Sequence, residues 1–234
     1  MANTIRKTGM VASWLACGAT LSFVIVQSLQ LVRVLQFPMD EILIYGTSLC
    51  IVIPFVLGML ALYHATPRGK KFWSHGGLLF SVLYAVFVVA NYVVQLATVI
   101  PAKMRGQGLA VRILDQTPHS MYWNYDAIGY LFMGAAMFIA IPAFSRKDFG
   151  KWVRIAFAAH ALTTPLIALV YFYPSFSERL LLLGLPWGIT APLAMGVLAV
   201  WFKKTSTIKN QPGRAATPSM VRNIANSPEV LPQN

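Results

Sequence analysis

The stretch FWSHGGLLFSVLYAVFVVANYVVQLATVIPA, residues 72–102, contains no Asp, Glu, Lys or Arg. As a helix rising ~1.5 Å per residue it reaches ~45 Å, more than the ~30 Å of hydrocarbon in a bilayer. Five further uncharged runs flank it: Met10–Val32, Ile42–Tyr63, Ala127–Phe144, Ile155–Ser177 and Leu180–Phe202. The pattern predicts an all-α, polytopic membrane bundle of six transmembrane helices.

The basic residues fall on alternate linkers. Arg6 and Lys7 precede the first run; Arg68, Lys70 and Lys71 join the second to the third; Arg146, Lys147, Lys151 and Arg154 join the fourth to the fifth; Lys203, Lys204, Lys209, Arg214 and Arg222 follow the sixth. On the other side, Arg33, Lys103, Arg105, Arg112 and Arg179 are offset by Asp40, Glu41, Asp115, Asp126 and Glu178. The excess of positive charge marks the cytoplasmic side, so both termini are expected inside, and Trp73, Trp152 and Trp201 fall at the inner ends of their spans.

The composition is 57% hydrophobic and 11% charged, with a formal charge of +12. In a soluble chain that charge would suggest a nucleic-acid partner. Here the cations flank apolar spans, which points to topology and to anionic headgroups of the lipid bilayer, with no nucleic acid expected. Cys17 and Cys50 lie within separate spans and read as small hydrophobes without a disulfide. The first span is too long for a signal peptide and lacks a small-residue cleavage site, so it is expected to be retained. One domain is expected over residues 1–204. The chain from about Thr205 to Asn234, rich in Pro, Ser, Asn and Gln, reads as a disordered cytoplasmic tail.

The one substantial outer loop, Pro101–Ser120, contains Leu109-Ala110-Val111-Arg112-Ile113-Leu114, which reads as a short helix lying on the membrane surface. Thr117-Pro118 then reads as a helix start, with Thr117 as N-cap. The fourth span opens with Met121-Tyr122-Trp123-Asn124-Tyr125-Asp126, and helical spacing puts Tyr122, Asp126 and Tyr130 on one stripe. An acid one to two turns inside the membrane must be neutralised, paired or hydrated, so Asp126 is expected to face the bundle interior as a candidate acid or polar anchor. Asn91 and Gln95 lie four apart on the third span with Tyr84 deeper, and Gln27, Gln30 and Arg33 lie near the outer end of the first. Arg33 is the expected partner of Asp126. Tyr122, Trp123, Tyr130 and Trp187 are expected to form an aromatic wall, with Asn91, Gln95, Gln27 and Gln30 as further ligand-binding groups; such polar side chains also serve simply to bond helices together.

His160 is expected to be a satisfied core residue paired with Thr164, one turn on. No Cys or His spacing resembles a metal site, histidines at matched depth for haem are missing, and no Walker loop, Gly-x-Ser-x-Gly or His-Glu-x-x-His occurs, so neither metal nor cofactor is expected. Pro54 and Pro165 each lie near the middle of the second span of a three-span half, a layout compatible with an inverted repeat.

Asn91-Tyr92-Val93-Val94-Gln95 through Pro101, then Pro118 to Tyr130 and a small-residue stretch ending at Pro142, resemble an uncharacterised group of multi-span integral membrane proteins, a domain of unknown function. The resemblance covers spans three and four and implies a helical fold but no activity. From the residues themselves, clustering of polar groups at one depth favours a pocket that binds or processes a lipid-like or isoprenoid molecule. A proton-coupled secondary transporter with Asp126 as relay, or a non-catalytic accessory or regulatory subunit, are the alternatives. A homodimer or a membrane-protein partner would fit the latter two.

Overall fold

The computed structural model describes residues 2–209. Its helices are α1 (Ala2–Leu31), α2 (Met39–Ala65), α3 (Lys71–Val94), α4 (Ile100–Met104), α5 (Met121–Ala140), α6 (Gly150–Phe172) and α7 (Leu185–Lys209), and no strand occurs among the described residues. Six helical stretches are long and apolar enough to cross a membrane, and they fit a bilayer environment. Residues 210–234, where most of the expected tail falls, lie outside the described residues; α7 itself continues through Thr205 to Lys209.

Local chemistry explains where the helices stop and bend. Tyr173 is extended before Pro174, which ends α6 at Phe172, short of the expected Ser177. Glu178–Gly184 is a 3-10 segment, and α7 begins at Leu185 with Pro186 in its first turn, where the missing N–H costs nothing. Thr117 is not the cap of α5. His119 adopts φ 65°, breaking any helix that would run through it, and Ser120 Oγ instead accepts from Trp123 N at 3.1 Å. The segment Gly108–Leu114 is indeed helical, as a 3-10 turn exposing Leu109 and Ile113. Between α3 and α4, Gln95–Val99 forms a single π-turn. Pro101 has no N–H for the carbonyl of Ala97 and its ring would crowd that carbonyl in a regular helix, so the wider turn relieves both problems.

The long helices form a closed ring. Each packs on its sequence neighbour in the order α1, α2, α3, α5, α6, α7, and α7 returns to α1. The ring places α1 opposite α5. Arg6 Nη1 donates to Thr205 O at 2.9 Å, bringing the start of α1 and the end of α7 to the same face of the bundle. At that face cations cap orphan carbonyls beyond α5: Lys70 Nζ reaches Phe144 O at 3.1 Å and Arg154 Nη1 reaches Ile141 O at 3.0 Å.

Lipid tails are as apolar as leucine, so helix contact here depends on close fit instead of escape from water. Glycines supply that fit. A Cβ on Gly77 of α3 would lie 2.9 Å from the Ala136 carbonyl of α5, and one on Gly134 of α5 would lie 1.9 Å from Thr164 Oγ1 of α6. Thr164 is thus seated on Gly134, while His160 bonds Thr190 Oγ1 of α7 at 3.2 Å instead of the expected Thr164. Gly134→Ala should lower stability by ~1–3 kcal/mol through overpacking, with partial recovery when Thr164→Ala is added. Thermal unfolding in detergent provides the measurement, and Gly18→Ala, where no atom stands within 4 Å, is the control expected to be neutral or mildly stabilising.

Candidate functional site

The inward face of α3 carries Ser74, Gly77, Ser81, Tyr84, Val88, Asn91 and Gln95, spaced alternately three and four residues apart. The first half of that stripe is small and lets α5 approach. The last two residues are amides with no exposed surface. Opposite them, Tyr122 and Asp126 lie on the buried face of α5, and Asp126 is 4% exposed.

The Asp126 carboxyl group accepts from three uncharged donors on three elements. Tyr92 Oη of α3 bonds Oδ1 at 2.5 Å, Gln116 Nε2 of the α4–α5 connection bonds Oδ2 at 3.0 Å, and Tyr171 Oη of α6 also bonds Oδ2. No ion pair reaches Asp126 among the described residues; the two ion pairs there both belong to Lys103. A buried acid is tolerable when its lone pairs are occupied, and here neutral hydroxyl and amide groups do so.

Backbone groups set the direction of the amides around it. Asn91 Nδ2 donates to the Tyr122 carbonyl at 3.2 Å and to Gln116 Oε1 at 2.8 Å. Gln95 Nε2 donates to the Leu114 carbonyl at 2.8 Å, and its Oε1 accepts from Gln116 N at 3.3 Å. Carbonyls only accept and a backbone N–H only donates, so neither amide can be reversed without losing a bond. The connection 105–120 is therefore laced to α3 and α5 from below. At its edge Lys103 Nζ joins Glu41 Oε1 of α2 at 3.3 Å to Asp115 Oδ1 of the connection at 2.9 Å.

Beside Asp126 is a cavity of about 10 Å³, enough for about one water, lined by Ser48, Ile51, Tyr84, Val88, Tyr92, Asp126, Tyr130 and Trp187. Trp187 is 6% exposed and its Nε1 has no partner among the described residues. Its ring meets Tyr130 edge-on at 5.1 Å, and Trp123 stacks at 4.5 Å on Tyr171 while its Nε1 donates to the Tyr171 carbonyl. This aromatic layer locks the hydroxyl of Tyr171 toward the carboxyl group. His160, 1% exposed, lies beyond Trp187 with ring centres 6.2 Å apart.

Of the residues singled out in the sequence, Asp126, Asn91, Gln95, Tyr122, Trp123, Tyr130 and Trp187 come together here. Arg33, Gln27 and Gln30 do not. Helix α1 ends at Leu31, and Arg33 sits in the following turn at φ 59°, exposed and in no ion pair among the described residues. Its helix is also across the ring from α5, which corrects the Arg33–Asp126 pairing. Gln30 Nε2 bonds Asp40 Oδ2 at 3.0 Å and Gln27 bonds Gln30, forming a separate polar patch between α1 and α2. Tyr92, Gln116 and Tyr171 had not been singled out as site residues. Tyr171 lies at the same depth in the bundle as Asp126, a matching that the span boundaries contain. Among the described residues no three His, Cys, Asp or Glu side chains are grouped to hold a metal.

No family model, curated protein or solved structure matches the chain. The likeness to multi-span membrane proteins rests on the six apolar helices alone.

Removing the central acceptor should be costly. Asp126→Ala strands two hydroxyls and an amide at once, and a loss of about 3 kcal/mol is expected, whereas the near-isosteric Asp126→Asn should lose about half of that or less. Tyr92→Phe and Tyr171→Phe should each cost ~1 kcal/mol. Denaturation of the four variants in one detergent ranks them, and an Asp126→Ala protein as stable as Tyr92→Phe would contradict the network.

Proposed function

We propose that the chain is a multi-pass membrane protein that binds, and in the enzymatic case processes, a lipid-like or isoprenoid small molecule whose polar head meets Asp126 in the outer half of the membrane. The observation that carries this reading is a buried acid held by neutral donors alone, beneath a connection at one end of the bundle. Asp126 would act as polar anchor, and as the acid if the ligand is converted. Tyr130 and Trp187 offer apolar, π-rich surface to the atoms next to the head. In this reading Gln116 covers Asp126, so entry of the head requires residues 105–120 to lift.

The same acid could relay protons in a transporter, and His160 beyond Trp187 is the observation that favours this second reading. Against it, the half of α5 away from Asp126 buries Met133, Ala136, Met137 and Ala140 in one apolar cluster with Phe55, Met59 and Phe144. Native mass spectrometry of protein extracted in mild detergent distinguishes the readings. An amphiphile bound one to one and lost in Asp126→Asn is expected. Proton-coupled solute uptake into proteoliposomes that disappears in Asp126→Asn, or a stoichiometric protein partner in place of the amphiphile, would overturn the first reading.

The orientation belongs to the same proposal. Arg6, Lys70 and Arg154 gather at the end where α1 starts, together with most of the remaining positive charge, and this end is assigned to the cytoplasm. In a background lacking Cys17 and Cys50, Gln107→Cys should react with a membrane-impermeant maleimide in intact cells and Ser206→Cys should not. The opposite labelling would reverse the topology.

A further inference from the structure

We infer that Gln116 occupies its own protein's ligand position, and that the ligand displacing it carries a neutral amide head. This rests on the reading of Asp126 as a ligand site and names the chemistry of that ligand.

The Gln116 carboxamide is the one side chain bonded to Asp126 that comes from a connection instead of a membrane-spanning helix. It fills a slot whose two walls have opposite demands. Asn91 Nδ2, held in its orientation by the Tyr122 carbonyl, requires an acceptor; Asp126 Oδ2 accepts the Gln116 N–H. An amide satisfies both at once through C=O and N–H groups on a single carbon. A carboxylate would place a second acceptor against Asp126, and an ester would leave that wall without its donor. A slot shaped by such buried polar groups rejects heads that fail to complete its bonds more strongly than an apolar pocket rejects a change in size.

The cavity that also borders Asp126 offers apolar surface next to the acid. Trp187 Nε1 is a buried donor without a partner among the described residues, and Val88, Ile51 and the rings of Tyr84 and Tyr130 form much of the remaining wall. The start of the acyl chain of an amide would lie along these residues. The connection is held by side-chain bonds at Asn91, Gln95, Lys103 and Asp126, all of which can be exchanged without unfolding a helix. Binding is thus a competition between an internal amide and an external one.

The test uses the full chain in nanodiscs and three probes with the same eighteen-carbon chain: oleamide, oleic acid and methyl oleate. Affinities are read by quenching of tryptophan fluorescence with brominated analogues of each probe. Gln116→Asn retracts the internal amide by one methylene while keeping the connection polar, and Gln116→Ala removes it. Both variants should bind oleamide about tenfold more tightly than the unaltered protein, a change of about 1.4 kcal/mol, and should prefer it to the other two probes by a similar factor. Thermal unfolding of each variant establishes that it is folded, and Gln116→Asn decides the matter if Gln116→Ala is not. Equal affinity for all three probes, or no gain in either folded variant, would overturn the amide assignment while leaving an Asp126-dependent lipid site standing. Binding of no probe by any folded form, together with no co-purifying amphiphile, would remove both.

Discussion

An acid held away from water by neutral donors is the constraint around which this bundle is arranged. Asp126 needs acceptor sites filled from several directions, and no single helix can provide them. Tyr92 from α3, Tyr171 from α6 and Gln116 from the connection do so together, which ties three elements to α5. The hydroxyl groups are placed by rings packed on other rings: Tyr45 lies 5.2 Å from Tyr92, and Trp123 lies 4.5 Å from Tyr171. Polar satisfaction at the carboxyl group therefore depends on apolar packing one layer out. Hydrogen bonds inside a membrane bundle are individually modest, so the specificity comes from their convergence on one residue.

The two ends of the bundle solve different problems. At the end where α1 starts and α7 ends, cations close helix carbonyls and small residues bring α3 against α5. That half is packed around Phe55, Met133, Met137, Phe144 and Phe157. At the other end the same α3 and α5 faces change from glycine, serine and methionine to amide, acid and tyrosine. Close packing in one half supplies a rigid base for the polar half, the arrangement a pre-organised site requires.

The spans and the inward direction of Asp126 were legible because they follow from local rules: uninterrupted apolar length, and the cost of an acid in lipid. Asn91 and Gln95 were legible for the same reason, being four apart on one helical face. Arg33 was misplaced because a uniform helix to Val32 was assumed, whereas the helix ends at Leu31 and the ring puts α1 across from α5. Charge complementarity suggested a cation for Asp126, but neutral donors suffice. Gln116 was invisible to periodicity because it lies in an irregular segment, where backbone turns at Gly106 and His119 decide where a side chain points. The His160–Thr164 pairing failed on similar grounds. Helical spacing allowed it, but Gly134 captured Thr164 and left His160 to Thr190.

The π-turn links these local events to the closure of the site. One residue is inserted between α3 and α4 relative to a regular helix, so everything beyond it is rotated by ~100°. Gln95, at its start, stays on the inward stripe and holds the Leu114 carbonyl and the Gln116 N–H. Lys103, beyond it, is carried round to where it meets both Glu41 and Asp115. In an unbroken helix these two registers could not both be met, and the connection would lose either its hold on α3 or its hold on α2. Pro101, which favours the π-turn by lacking an N–H, thereby helps a side chain from the loop to be pressed onto a carboxyl group of the next helix.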